Sequence, residues 1–173
     1  MTNWYVITGG PSSGKTTTVN ILRARGYQTT IEHARHFLDT QRVSGKTVTE
    51  IRKNQAAFQL GVLEMQIEQE NSLDPAALTF LDRALPDALA YYRFLDLPPD
   101  PKLLYALRSA RYRKVFLLDL LPLVKDYART EDNTAQRKIH DLLRKVYEEL
   151  GHPVETVPAL DPEARVEYIL ARL

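Results

Sequence analysis

The sequence has no cysteine among its 173 residues. That absence removes disulfide frameworks, thiolate catalysis, zinc ribbons and cysteine-ligated clusters from consideration. An excess of either charge is missing as well: 23 Lys and Arg stand against 22 Asp and Glu, for a net charge of +1. Proteins built mainly to coat nucleic acid carry a basic surplus, so no nucleic-acid partner is expected. Long apolar runs are also lacking. Val115-Phe116-Leu117-Leu118 is among the longest, far below the roughly 20 residues a membrane helix requires, so no membrane partner is expected. Met1-Thr2-Asn3 leads straight into a strand-like run with no basic stretch and apolar stretch in succession, so no leader is expected. There is no internal repeat or low-complexity tract. The remaining balance, 44% hydrophobic and 26% charged residues, is that of an ordinary globular protein. The expectation is a soluble cytoplasmic chain forming a single domain over residues 1–173.

Short β-type runs alternate with longer helical ones, the pattern of a parallel α/β sheet. Strands are expected at 4–7, 28–31, 77–81, 115–118 and 154–157. The first and fourth are apolar throughout, as strands covered on both faces tend to be. Helices are expected at 15–25, 49–73, 135–150 and 162–173. In the longest of these, Ile51, Phe58, Val62 and Met65 follow at intervals of seven, four and three, which keeps them on one face. Thr47 and Glu50 have capping-box spacing, Gly151 stands where a helix C-terminus turns, and Pro162 follows Asp161 at a helix start. Pro98-Pro99-Asp100-Pro101 reads as a rigid turn between helices.

Gly9-Gly10-Pro11-Ser12-Ser13-Gly14-Lys15-Thr16 fits G-x-x-x-x-G-K-[ST] at each specified position, after an apolar strand and at the head of a helix. The glycines let successive backbone N–H groups turn toward phosphate oxygens, and the helix N-terminus adds partial positive charge. Gly9, Gly10, Pro11, Ser12, Ser13, Gly14, Lys15, Thr16 and Thr17 are the candidate nucleotide cradle. Lys15 is expected at the β/γ-phosphates and the Thr16 hydroxyl at Mg²⁺, with ATP as the nucleotide.

Chemistry beyond nucleotide binding has to come from the other strand ends. Asp82 ends the third strand, where a P-loop protein keeps a second Mg²⁺ anchor, although an acid there is also a common helix cap. The next residue is Arg83, a candidate acceptor contact and a cation that cannot accept a proton from water, and this favours transfer to an acceptor over hydrolysis. Glu32 ends the second strand and is a candidate base for an acceptor hydroxyl. Arg35, three residues on, is a candidate for holding the acceptor or else a local partner of Glu32. Lacking further ligands, His33 and His36 read as surface residues rather than a metal site. Arg129, in the charged run 125–132, is a candidate lid cation over the phosphates, with Arg137 behind it. Among Arg108, Arg111 and Arg113, one is a candidate phosphate contact and the others are exposed helix-end cations. Phe58 belongs to the apolar stripe of its helix; with Gln55 and Gln59 on nearby turns it also forms a candidate stacking surface for a planar acceptor. Tyr91 and Tyr92 are similarly ambiguous.

The loop, the Glu32-x-x-Arg35 element, Asp82-Arg83 and the arginine-bearing run occur in the order found in P-loop nucleoside and nucleotide kinases. More closely, the chain resembles a small AAA-labelled ATPase family that includes the ribosylnicotinamide kinase domain of the bacterial NAD regulator. The resemblance covers nearly the whole chain. It rests on Ile7-Thr8-Gly9-Gly10-Pro11, Glu32-His33-Ala34-Arg35, Phe80-Leu81-Asp82-Arg83-Ala84-Leu85-Pro86-Asp87, Val157-Pro158 and Pro162-Glu163-Ala164-Arg165. It implies a three-layer P-loop NTPase fold with a five-stranded parallel sheet in the order 2-3-1-4-5. It also implies an ATP site at Lys15 and Thr16 with adenine near the loop after the last strand. Asp82 is then a Mg²⁺ or base candidate, and Arg129 a lid residue. A Mg-ATP-dependent small-molecule kinase is the leading expectation; the alternative is a nucleotide-dependent switch acting through a protein partner. The run 49–73 offers a face for a homodimer.

Overall fold

The computed structural model describes residues 1–43, 47–122 and 133–173. Five strands, β1 (Trp4–Thr8), β2 (Gln28–Thr29), β3 (Thr79–Asp82), β4 (Lys114–Leu118) and β5 (Val154–Val157), form one parallel sheet in the order β2-β3-β1-β4-β5. This is the order that the family resemblance implies. Successive side chains of a strand point to opposite faces, and the apolar strands divide their residues accordingly. Trp4, Val6, Leu81, Val115 and Leu117 face one core, whereas Tyr5, Ile7, Phe80, Phe116 and Leu118 face the other. Helices α1 (Lys15–Ala24) and α8 (Pro162–Leu170) cover the second face. Helices α4 (Gln55–Ser72), α5 (Leu85–Phe94), α6 (Pro101–Leu107) and α7 (Asn133–Glu149) cover the first. Helix α2 (His33–Val43) lies against α4, where Leu38 and Phe58 form a small third cluster.

Several boundaries depart from the sequence expectation; the last helix, for instance, ends at Leu170. The expected helix 49–73 is two helices: α3 (Val48–Lys53) ends at Asn54, which leaves helical geometry at φ −104° and ψ 84°, and α4 follows. The Asn54 side chain accepts from Ala57 N–H at 3.0 Å, so a polar cap restarts the helix. The apolar spacing runs through this break in phase, which is why periodicity reads it as continuous. The expected strand 28–31 shortens to two residues. Beyond it, Thr30 N–H still donates to Phe80 O, and the Thr30 hydroxyl accepts from Asp82 N–H at 2.9 Å. The third strand begins at Thr79 rather than residue 77. The expected capping box at Thr47 and Glu50 forms, Gly151 takes φ +76°, and Asp100 caps α6 ahead of Pro101.

Two buried acids join the helices on the first face. Asp87 accepts from Thr8 Oγ1 at 2.6 Å, from Ala84 N–H at 3.1 Å and from the Tyr147 hydroxyl, linking α5 to β1 and α7. Glu70 accepts from Gln66 Nε2 at 2.7 Å and Leu85 N–H at 3.0 Å through Oε1, and from Tyr112 OH at 2.7 Å through Oε2. Burial pushes the Glu70 carboxyl up to about 7, against the pull of its three donors. A carboxyl that binds its proton more tightly when folded loses stabilising influence as pH rises from its unfolded value toward 7. Glu70→Gln should therefore gain stability relative to wild type as pH goes from 5 to 8. Urea unfolding at both values measures this; an unchanged difference would contradict it.

Candidate functional site

Residues 9–14 leave β1 and turn into α1. Gly14 precedes the helix at φ +86° and ψ 17°, a left-handed conformation suited to glycine. A side chain there would also meet Arg165 Nη1 at 2.9 Å. Lys15 is 5% exposed; its ammonium donates to Gly9 O at 2.8 Å, Gly10 O at 3.1 Å and Ser13 Oγ at 3.3 Å. Thr16 and Thr17 are exposed on the first turn of α1.

The sheet register places the acids beside this loop. Ile7 pairs with Asp82 across β1 and β3, and Arg83 N–H donates to Ile7 O at 3.1 Å. The chain leaves β3 with Arg83 at φ +68°, a conformation that costs a side-chain-bearing residue about 1 kcal/mol or more. The Arg83 guanidinium bridges to Glu32 Oε1 at 3.2 Å and lies 5.1 Å from the centre of the Tyr91 ring. Residues 32 and 83 thus face each other from neighbouring strand ends.

Lys15, Glu32, Arg35, Phe58 and Arg83 line one pocket together with His33, Gln59, Gln66 and Tyr91. Asp82, beside Lys15 and Glu32, is 4% exposed, and its Oδ1 makes no hydrogen bond among the described residues. Burial, followed by the neighbouring Glu32, pushes the Asp82 carboxyl up to about 7, against Lys15 and Arg83. Burial, followed by Arg83, brings the Lys15 ammonium down to about 8, against Glu32, Asp82 and Asp87. An unpartnered buried carboxylate oxygen and an exposed hydroxyl on the first turn of α1 fit a hard divalent cation such as Mg²⁺, which favours oxygen ligands.

Several expected roles change with placement. Phe58 is 3% exposed and meets Phe37 edge-on with ring centres 5.5 Å apart, so it is core residue and pocket wall together. His33 is not a surface residue: it is 5% exposed, its Nε2 lies 2.6 Å from Gln69 Oε1, and burial lowers its pKa. His36 is exposed. Arg108, Arg111 and Arg113 are exposed and precede β4, at the opposite end of the sheet from the loop. Arg113 N–H bonds Trp4 O at that end, so none of the three is a phosphate contact. Arg137 is exposed on α7 and does not line the pocket. Tyr91 lines it, whereas Tyr92 is buried in the first core. Arg129 and the run 125–132 lie outside the described residues.

Sequence reasoning assigned no role to the groups that hold the loop from outside. On α7, Gln136 Nε2 donates to Pro11 O at 2.7 Å and Leu121 O at 3.1 Å, and His140 Nδ1 accepts from Gly10 N–H at 3.3 Å. On α8, Arg165 is 2% exposed and donates to the Ser13 carbonyl, to Asp119 O at 2.9 Å and to Pro158 O at 3.0 Å. The only sequence signal for Arg165 is its place in the run 162–165.

The sheet order and the loop, with carboxylates at the adjoining strand ends, define a P-loop nucleotide-binding protein with the kinase variant of the P-loop NTPase fold. The AAA domain family model matches residues 4–165, and the chain belongs to that family. No curated protein matches it. Among solved structures it is similar to deoxyadenosine kinase from M. mycoides with dCMP and dCDP, at TM-score 0.68 and 16% identity over 98% of this chain and 97% of that one. It is also similar to NadR protein in complex with NR, at TM-score 0.67 and 17% identity over 97% of this chain and 49% of that one. NadR with NAD and AMP-PNP aligns equally well, at TM-score 0.67 and 18% identity, covering 97% and 48%. The chain thus spans about half the length of NadR. Among the described residues, no helix is long and apolar enough to cross a membrane.

Arg165 bonds three carbonyls with one buried charged group, the Ser13 contact buried and those to Asp119 and Pro158 half-buried. Arg165→Met should lower the unfolding free energy by about 2 kcal/mol, since charge-assisted bonds are lost and the buried Ser13 acceptor stays unpaired. Chemical denaturation measures it; a loss within about 0.5 kcal/mol, the range of ordinary surface changes, would show that the three bonds do not hold the loop.

Proposed function

We propose that the chain is a Mg-ATP-dependent small-molecule kinase, acting as a single domain in the cytoplasm on a nucleoside-, nucleotide- or ribosylnicotinamide-like acceptor. The observation that carries this reading is the pocket in which Lys15 and the Glu32–Arg83 pair face an apolar wall containing Phe58. A hydrolase needs a base aimed at water beside the phosphates; here the residue after Asp82 is a cation, and the acid stands across the pocket where a bound acceptor reaches it. The fold it shares with deoxyadenosine kinase and NadR points the same way.

Residues 9–17 cradle the ATP phosphates, with Lys15 turning from the loop carbonyls to the β/γ-phosphates. Thr16 and Asp82 hold Mg²⁺, which when bound neutralises phosphate charge. Glu32 accepts the proton of the acceptor hydroxyl, and Arg83 holds that carboxylate in position. Asp82 is the second base candidate. Arg35 contacts the acceptor's polar portion, Phe58 its planar face, and Arg129, from its sequence position, offsets charge on the transferring group. An apolar wall excludes water as a competing acceptor.

Incubating purified protein with Mg-ATP and pooled nucleosides, nucleotides, ribosylnicotinamide, sugars and vitamins, with mass-spectrometric detection, tests the reading. A phosphorylated product should appear with wild type and vanish with Lys15→Ala, whose circular dichroism and unfolding midpoint stay near wild type. Nucleotide binding without any product would favour the switch reading instead. Glu32→Gln should keep nucleotide affinity and lower kcat by about 10²–10⁴. Unchanged kcat in that variant would remove Glu32 from the role of base.

A further inference from the structure

Helix α7 meets two successive groups of the phosphate loop with two side chains one turn apart. Gln136 Nε2 donates to Pro11 O at 2.7 Å, and His140 Nδ1 accepts from Gly10 N–H at 3.3 Å. Both side chains are buried. Helix and loop backbone are also in close contact here: a Cβ added to Gly10 would meet Gln136 O at 2.9 Å and His140 Cβ at 3.1 Å. Gly10 therefore sits against α7 with its N–H turned toward the helix.

A backbone N–H can only donate, so this bond exists only while His140 Nδ1 carries a lone pair. The ring is then neutral, with its proton on Nε2. Protonation sets Nδ1–H against the Gly10 N–H, two donors facing each other in a buried contact. The surroundings favour the neutral ring. Burial, followed by Arg144, lowers the His140 pKa against Asp141 and Asp119, and Lys15 lowers it further. Arg144 itself is bonded to Thr156 Oγ1 on β5 at 3.0 Å. The other charges on the elements packed against α7 have partners of their own. On α5, Asp87 accepts from Thr8 and Tyr147, and Arg93 pairs with Glu149; on β5, Glu155 pairs with Arg172.

We propose that His140 is a positioning residue that makes nucleotide binding at this loop sensitive to acid. The neutral ring holds Gly10, and through it the loop, in the shape that receives phosphates. The imidazolium forces Gly10 away from α7. An empty loop tolerates that shift better than a filled one, because bound phosphates commit the remaining loop N–H groups. Lys15 and Mg²⁺ offset the phosphate charge, so the lost acceptor outweighs the attraction of phosphate for the imidazolium. Protons at His140 and nucleotide at the loop therefore compete, and each weakens the other by the same factor. The inference rests on the reading that residues 9–17 hold nucleotide phosphates, whatever the acceptor.

Isothermal titration with Mg-ADP between pH 8 and pH 5 tests this on wild type and His140→Asn, each referred to its own affinity at pH 8. The Asn amide oxygen can replace Nδ1 as acceptor and does not titrate. The nucleotide, Asp82 and Lys15 titrate in both proteins, so the difference between the two profiles belongs to His140. Wild type should lose roughly tenfold more affinity than the variant, with the divergence below the ordinary histidine value of 6.5. A purely structural role for His140 would shift affinity or stability by the same factor at every pH. Ring NMR of wild type gives an answer that does not require the variant to fold. His140, identified by its proximity to the Gly10 amide, should have Nδ1 unprotonated at pH 8. Saturating Mg-ADP should lower its titration midpoint by about one pH unit, the counterpart of a tenfold loss. Parallel affinity profiles, or a midpoint that stays or rises with Mg-ADP, overturn the inference and leave the nucleotide reading intact. No Mg-ADP binding at any pH removes both.

Discussion

The pairing of Ile7 with Asp82 across β1 and β3 is the contact on which the chemistry of the sheet edge depends. Parallel strands fix which residues finish side by side, and a slip by one residue would turn every side chain of β3 to the other face. With Ile7 opposite Asp82, the carboxylate ends level with the start of the phosphate loop, and Arg83 is bonded through its backbone to Ile7. Thr30 then transmits the same register to the next strand end, bonding Phe80 and Asp82 just before Glu32. Three separate loops are thereby set against one another by backbone bonds and the Thr30 hydroxyl, before any side chain of the pocket makes a contact.

A register alone does not hold a glycine-rich loop in one shape, because its backbone has few partners of its own. The loop carbonyls are instead taken up from outside by Gln136 for Pro11 and Arg165 for Ser13, with His140 accepting from Gly10 N–H. Arg165 also bonds the ends of β4 and β5 through Asp119 and Pro158. The carbonyls that face outward are thus satisfied by protein. The inward side is occupied by the Lys15 ammonium, which bonds Gly9 and Gly10. A ligand that replaces these two bonds with phosphate oxygens draws on one flexible side chain and leaves the outer bonds intact.

The loop was legible in the sequence because its chemistry is local: spacing within eight residues states which backbone groups and which ammonium meet a phosphate. The place of Asp82 was legible because the apolar run of β3 ends at an acid, that of Glu32 because an acid follows the β-type run 28–31, and the family likeness supplied the strand order. The burial of His33 is not legible, since nothing near it in sequence announces Gln69, 36 residues on, as its partner. Gln66, Glu70, Gln136, His140 and Arg165 escaped for the same reason. The sequence separations of the outer contacts, 125 residues for Gln136 to Pro11 and 152 for Arg165 to Ser13, lie beyond any periodic pattern. The break at Asn54 was hidden by the opposite circumstance, an apolar stripe whose phase a polar cap does not disturb.

The pocket gathers charges that its burial disfavours. Lys15 is pulled down to about 8 and Asp82 pushed up to about 7, in each case first by loss of water. A buried charge without full compensation costs several kcal/mol, and among the described residues Asp82 Oδ1 and Arg83 Nε lack hydrogen-bond partners. The folding energy that tolerates this has to come from elsewhere, and the sheet shows where. β1, β3 and β4 place large apolar side chains on both faces, each worth about 1.5–3 kcal/mol when fully buried. Charged side chains enter only after the apolar residues of β1 and β3 are spent, at the last position or just beyond. Two cores therefore support one polar edge, and under the proposed kinase reading a polyphosphate and a cation would supply the charges and oxygen ligands that relieve the electrostatic demand concentrated there. The same features that make the edge unfavourable in isolation make it selective for what completes it.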